Sequence, residues 1–174
     1  MSSDHLTLLI PKDRIHEAVT QIAHRINHDY EGKKIILIGI LKGSVIFLAD
    51  LIRQIKVPSV VDFAKLASYG SEKESSGTVK FLKDIDVDVH DQDVIIVEEI
   101  IDSGRTLDFF FRRLMASKPK SVKIAALLDK KARRAVTIEA DYVGITVEDK
   151  FLVGYGLDFN ENYRNLPDIY SIES

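Results

Sequence analysis

Two short apolar runs constrain this chain more than any other feature. Lys34–Ile40 (KIILIGI) and Val94–Val97 (VIIV) show no alternation of apolar and polar residues, and each leads into a glycine-bearing turn and then a helical pattern. A strand that is apolar at successive positions must be covered on both faces, as in parallel sheets whose crossover helices lie above and below. Further strands are expected at Ser59–Ala67, Val122–Leu128 and Asp141–Val147. The spacing therefore predicts an α/β fold with a parallel-sheet core flanked by helices. Ligands of such sheets collect outside the carboxyl ends of the strands. The turns at Leu41–Ser44 and Glu98–Thr106 both follow such ends, so they share one edge.

The helices are read from three- and four-residue steps. Pro11–Tyr30 places Ile15, Ala18, Val19, Ile22, Ala23 and Ile26 on one face, with Pro11 suited to the first helical position. A second helix presents Val45, Leu48, Ala49, Ile52 and Ile55, and a third Leu107, Phe110, Phe111, Leu114 and Met115. Tyr69–Thr78 (YGSEKESSGT) reads as a polar, mobile loop. With 174 residues, no repeat and no low-complexity linker, the whole chain, residues 1–174, is expected to form one domain.

Composition removes several function classes. Lys plus Arg is 24 against 27 Asp plus Glu, a net charge of −3, which argues against nucleic-acid or membrane binding by bulk electrostatics. The absence of cysteine excludes disulfides, thiolate metal sites and a cysteine nucleophile. Met1–His5 does not start a signal peptide and no apolar run is long enough to span a bilayer, so a cytoplasmic location is expected.

The chemistry concentrates in Val97-Glu98-Glu99-Ile100-Ile101-Asp102-Ser103-Gly104-Arg105-Thr106. Gly104 permits a tight strand-to-helix turn whose successive N–H groups converge on an anion. The hydroxyls of Ser103 and Thr106 add donors, and the helix N-terminus adds a favourable dipole. This is a monophosphate cradle, distinct from the triphosphate loop and from GxGxxG. By itself such a turn reads as a helix cap. Three carboxylates, Glu98, Glu99 and Asp102, crowd the same strand end, an unfavourable setting for an anion unless a sugar and a cation compensate. Mg²⁺ takes one or two carboxylates together with phosphate oxygens, so a phosphorylated ribose with Mg²⁺ fits.

These residues resemble the phosphoribosyl-pyrophosphate signature of the hypoxanthine-guanine phosphoribosyltransferase family, short bacterial type. Five further segments match in order. Leu41-Lys42-Gly43 resembles the pyrophosphate-binding loop, Ser68-Tyr69 the start of the flexible catalytic loop, and Leu127-Leu128-Asp129-Lys130 the purine-contacting strand end. Lys150–Asp158 and Tyr163–Pro167 resemble the hood. The resemblance covers about Leu6 to Ile169 and implies the type I phosphoribosyltransferase fold, with a small hood built from the C-terminal segment and N-terminal residues. It implies a purine-salvage transferase that passes the 5-phosphoribosyl group of phosphoribosyl pyrophosphate to hypoxanthine or guanine, with Mg²⁺, in a homodimer or homotetramer. It also implies roles. Asp102 is the general base at purine nitrogen 7. Leu41, Lys42, Gly43, Ser68, Tyr69 and Arg164 meet pyrophosphate, with Leu41–Lys42 a candidate cis peptide. Glu98, Glu99, Asp102, Ser103, Gly104, Arg105 and Thr106 hold ribose 5-phosphate. Lys130, Phe151, Leu152 and Asp158 face the purine, and Glu98, Glu99 and Asp158 face metal. Taken without the family, Lys130 begins a basic stretch with Lys131, Arg133 and Arg134 that reads as solvated surface, and Phe151 reads as core.

One departure stands out: Glu99 occupies a position where the signature carries Asp. The extra methylene moves the carboxylate by roughly 1 Å, a displacement worth up to about 10²-fold in rate. Ser103 in place of Thr keeps its hydroxyl. The competing class is a weakened or non-catalytic nucleotide sensor on the same fold, which predicts loss of the base or of the pyrophosphate loop. Asp102, Lys42 and Arg164 are all present. Replacement of Glu99 by Asp is expected to lower the Michaelis constant for phosphoribosyl pyrophosphate or raise turnover; steady-state kinetics unchanged in both respects count against the displacement.

Overall fold

The computed structural model describes residues 5–69 and 78–173. The strands are β1 (His5–Ile10), β2 (Ile35–Leu41), β3 (Ser59–Tyr69), β4 (Thr78–Lys83), β5 (Asp93–Ile101), β6 (Ser121–Asp129), β7 (Tyr142–Thr146), β8 (Leu152–Val153) and β9 (Ile169–Glu173). The helices are α1 (Lys12–Asp29), α2 (Val45–Ile52) and α3 (Arg105–Ala116). A six-stranded sheet runs in the order β4-β3-β2-β5-β6-β7. It is parallel except for β4, which pairs antiparallel with β3 at the edge.

Successive residues of the central strands bury into opposite layers, the physical meaning of their unbroken apolar runs. Ile35, Leu37, Ile95, Val97, Ala125 and Leu127 pack with α1 and α2. Ile36, Ile38, Val94, Ile96, Ile124 and Ala126 pack with Leu107, Phe110 and Leu114 of α3. Each fully buried aliphatic side chain contributes about 1.5–3 kcal/mol. The chain leaves β2 toward one face and β5 toward the other. Because these two strands are neighbours, their carboxyl ends flank the point where strand order reverses.

The expected face of α1 is buried as read, from Ile15 to Ile26. Pro11 is the N-cap rather than the first helical residue, and the exposed amide of Lys12 is capped by Asp168 Oδ1 at 2.6 Å, from the far end of the chain. The face of α2 differs from expectation. Phe47, Leu48 and Leu51 are buried, Val45 is exposed, and Ile55 lies beyond the helix end. A helix of 8 residues that is apolar nearly all round carries little phase information, so the position of its cap decides which side turns inward. In α3, Met115 is exposed, because one residue past Leu114 is a further 100° around the axis. The ends of the polar loop, Tyr69 and Thr78, are paired strand residues. The reading of 70–77 as mobile lies outside the described residues.

The hood is a three-stranded antiparallel sheet, β1-β9-β8, that joins both ends of the chain. Its approach to the main sheet is backbone against backbone. Gly156 has φ +96, and a Cβ there would lie 2.1 Å from the Gly43 carbonyl oxygen. Gly156→Ala is therefore expected to cost roughly 2–4 kcal/mol, through positive φ and lost contact together. A melting-temperature loss on the order of 5–15 °C measures it; a loss below 2 °C contradicts the contact.

Candidate functional site

The crevice between β2 and β5 is walled by residues 41–44, the 102–106 turn, the end of β6 and the hood. The Leu41–Lys42 peptide is cis. Gly43 and Ser44 are buried, and Ser44 Oγ donates to the Ile40 carbonyl at 2.7 Å. A Cβ on Gly43 would fall 1.9 Å from Glu99 Oε1, so the longer acid lies directly against the backbone of the 41–44 loop.

Gly104 has φ +80 and caps α3. Its left-handed conformation turns the chain from strand to helix within three residues, which a side chain resists. The turn lines a cavity of about 260 Å³ together with Glu98, Ile40 and Leu66. Ser103 Oγ accepts from the Arg105 amide at 3.4 Å. Arg105 itself is exposed. A larger opening of about 520 Å³ lies between α1, α2 and residues 164–167; it shares only Arg164 with the predicted set and holds none of the clustered acids.

Glu98 and Glu99 share a hydrogen bond between their carboxyls. Burial pushes Glu98 well above the ordinary carboxylate range, and the charge of Glu99 adds to the rise. Burial also raises Glu99, against the hydrogen bond from Glu98 and the pull of Arg164. Both residues touch solvent in part, yet Glu99 Oε2 and Asp102 Oδ1 are buried with no hydrogen-bond partner among the described residues. Among these residues no group of three or more acids and histidines closes into a metal cage. Two hard carboxylates with an unpartnered oxygen suit a divalent cation that takes its other oxygens from water and phosphate. Asp158 is already engaged: Oδ1 lies 3.0 Å from Arg164 and Oδ2 accepts the Glu161 amide at 2.9 Å.

Lys130 directly follows β6 and is 4% exposed, so it does not belong to a solvated basic stretch. Its ammonium lies 3.5 Å from Asp102 Oδ2 and 3.9 Å from Asp149 Oδ1. Arg133 Nε stands 3.8 Å from Asp102 Oδ1. Phe151 is 51% exposed, against the core reading, and meets the Phe159 ring edge-on at 5.5 Å. Leu152 is buried in the edge strand of the hood. Because β9 takes the Phe151 carbonyl through the Ile172 amide, alternation turns the backbone groups of Leu152 to the free edge. Ser68 lies near the exposed end of β3, and the backbone of Tyr69 closes that strand.

Glu161 was invisible in the sequence. Its carboxylate accepts from Lys42 at 2.6 Å and from Arg164 at 3.3 Å, tying together two cations that the motifs placed 122 residues apart. The hydrogen bond from Lys42 holds it below the usual carboxylate range. Asn160 and Glu161 both have positive φ, a turn with no signature beyond a polar run. Arg164 is held by the Gly156 carbonyl at 2.7 Å, while its Nε is buried without a partner among the described residues.

The phosphoribosyl transferase domain model matches residues 11–160. The chain is 44% identical over 169 residues to the hypoxanthine-guanine phosphoribosyltransferase of Aquifex aeolicus, covering 97% of this chain and 95% of that one. It is 45% identical to the bifunctional protein TilS/HprT of Listeria innocua and spans about a quarter (26%) of that protein's length. A crystal structure of a Bacillus anthracis hypoxanthine-guanine phosphoribosyltransferase with HEPES in its active site superposes with a TM-score of 0.93 at 47% identity, covering 98% of this chain and 100% of the other.

The shared proton has a measurable sign. Above the ordinary carboxylate range the native pair keeps a proton that the unfolded chain has released, so this pair makes stability fall as pH rises toward the raised values. In metal-free buffer, Glu98→Gln is expected to melt higher than the parent at about pH 8, the gap closing toward about pH 5. A gap independent of pH counts against the shared proton.

Proposed function

Because the chain belongs to the phosphoribosyl transferase domain family, in its hypoxanthine-guanine branch, we propose that it exchanges the pyrophosphate of phosphoribosyl pyrophosphate for hypoxanthine or guanine, giving IMP or GMP in purine salvage. One observation carries this reading. Lys130, a buried donor-only cation, stands 3.5 Å from Asp102, the acid beside the glycine turn, so a base recogniser and a proton acceptor meet next to the cavity that the turn lines.

The 5-phosphate sits on the 103–106 turn, held by backbone N–H groups and the Ser103 and Thr106 hydroxyls. Asp102 takes the purine proton at nitrogen 7, with one carboxylate oxygen that has no hydrogen-bond partner among the described residues. Lys130 donates to a 6-oxo group and has nothing to accept from the 6-amino group of adenine. Phe151 offers its exposed ring to the purine face, and the outward backbone of Leu152 meets the purine edge. As the ribose carbon gains cationic character, Lys42, the 41–43 backbone and Arg164 receive the departing pyrophosphate charge. Ser68 and Tyr69 lie on the strand end nearest that side.

Mg²⁺ supplies positive charge for the diphosphate and the ribose hydroxyls. Glu98 and Glu99 would hold it, losing their shared proton. Asp158 joins the metal set only when Arg164 turns to the substrate. The reading includes a cytoplasmic location, where the charged substrate is retained, and a homodimer or homotetramer. The sensor alternative is disfavoured by the intact arrangement of Asp102, Lys42 and Arg164.

A spectrophotometric assay with phosphoribosyl pyrophosphate, Mg²⁺ and each of hypoxanthine, guanine, xanthine and adenine tests the proposal. Turnover is expected with hypoxanthine or guanine, lost on chelation and lowered about 10²–10⁴-fold in Asp102→Ala. Purine-monophosphate binding without turnover on any base overturns the enzyme reading in favour of the sensor.

A further inference from the structure

Three consecutive carbonyls, the last of β5 and the first two of the phosphate turn, are bonded by one segment, the connection that leaves β6. The Ile101 carbonyl accepts the Lys130 amide at 2.9 Å, and the Ser103 carbonyl accepts the Ala135 amide at 2.9 Å. Between them, the Asp102 carbonyl accepts Arg134 Nε at 3.3 Å. The same guanidinium bonds the Asp129 carboxylate and the Ile138 carbonyl. Arg134 is 14% exposed at its side chain and Asp129 4%. A Cβ on Gly104 would lie 3.1 Å from Arg134 Cδ and 2.8 Å from Ile138 Cγ2, so the turn is pressed onto this segment.

The geometry has a directional result. In a trans peptide the carbonyl of one residue and the N–H of the next point opposite ways. With the carbonyls of 101–103 drawn toward residues 130–135, the N–H groups of Asp102, Ser103 and Gly104 face away from that segment. A buried guanidinium is costly unless its donors are satisfied, and the planar fork of arginine meets the Asp129 carboxylate and two carbonyls together, as the point charge of lysine does not.

We infer that Arg134 is a positioning residue for the reaction proposed above: it fixes the Asp102 carbonyl, and through it both the phosphate-binding N–H groups and the base Asp102. The basic stretch after Lys130 is thus divided by burial. Lys131 is exposed surface, Arg133 faces the Asp102 carboxylate, and Arg134 braces the turn from behind. The segment that ends the purine pocket at Lys130 is also the support of the phosphate turn, so the two ends of a nucleotide are held in register by one piece of chain.

The inference rests on the proposed transferase reading, and its test separates the two. Arg134→Lys, Arg134→Met and Asp129→Asn are compared with the parent by melting temperature, by the Kd for IMP and by the KM for each substrate. Expected in Arg134→Lys is a rise of about tenfold or more in both the KM for phosphoribosyl pyrophosphate and the Kd for IMP, with the KM for hypoxanthine within about twofold. Asp129→Asn shifts the same way and by less, and carries the test with Arg134→Lys if Arg134→Met fails to fold. A merely structural role lowers the melting temperature and the active fraction without this split. Folded Arg134→Lys and Asp129→Asn that leave both phosphate-dependent constants within twofold overturn the inference alone. A parent protein that neither turns over nor binds IMP overturns the transferase reading and the inference with it.

Discussion

Everything in this site depends on two neighbouring parallel strands whose chains depart to opposite faces. β2 feeds α2 on the α1 side of the sheet, and β5 feeds α3 on the other side. Continuous coverage fails between them, and a crevice opens at their carboxyl ends. Loop 41–44 and turn 102–106 wall that crevice because they are the first residues past these strands. Their positions are set by the burial of Ile36–Ile40 and Val94–Val97, not by the loops' own stability.

The crevice holds an excess of acids around the turn proposed to hold phosphate, and the cations facing it are already paired. Lys42 holds Glu161, Arg164 holds Asp158 and Glu161, and Lys130 faces Asp102 and Asp149. The partly exposed pairs of Lys42 and Arg164 contribute only about 0–1 kcal/mol, so the diphosphate of the proposed substrate would displace them at small cost. The buried Asp129–Arg134 pair behind the turn belongs to a different class. Its partners are fully engaged, and losing one strands a charge away from water. Exchangeable pairs thus line the crevice while a fixed pair supports it.

The legible parts of the sequence were those with a strict period or a local constraint. The α1 face was readable because six apolar positions keep helical phase over an 18-residue helix. The glycine turn was readable because Gly104 must adopt positive φ between strand and helix. Strand β4 was missed, since TVKFLK puts Phe81 and Leu82 side by side and is half-exposed at an edge. The inward side of α2 was misread because a short apolar helix lacks phase. The hood's existence followed from resemblance, yet its register, Leu6 opposite Ile172, has no local cause in either segment.

The sequence by itself determined the buried parallel strands, the glycine turn at the end of β5 and the types of residue available to the site. These are encoded in short windows, where periodicity and backbone freedom act. Only the tertiary structure decided how those residues are used. It buried Lys130 and most of Arg134 while leaving Lys131 outside, brought Glu161 between Lys42 and Arg164, and set Glu99 against Gly43. The reason is physical: exposure and electrostatic partnership depend on which distant segments fold over a residue, and no local window contains them.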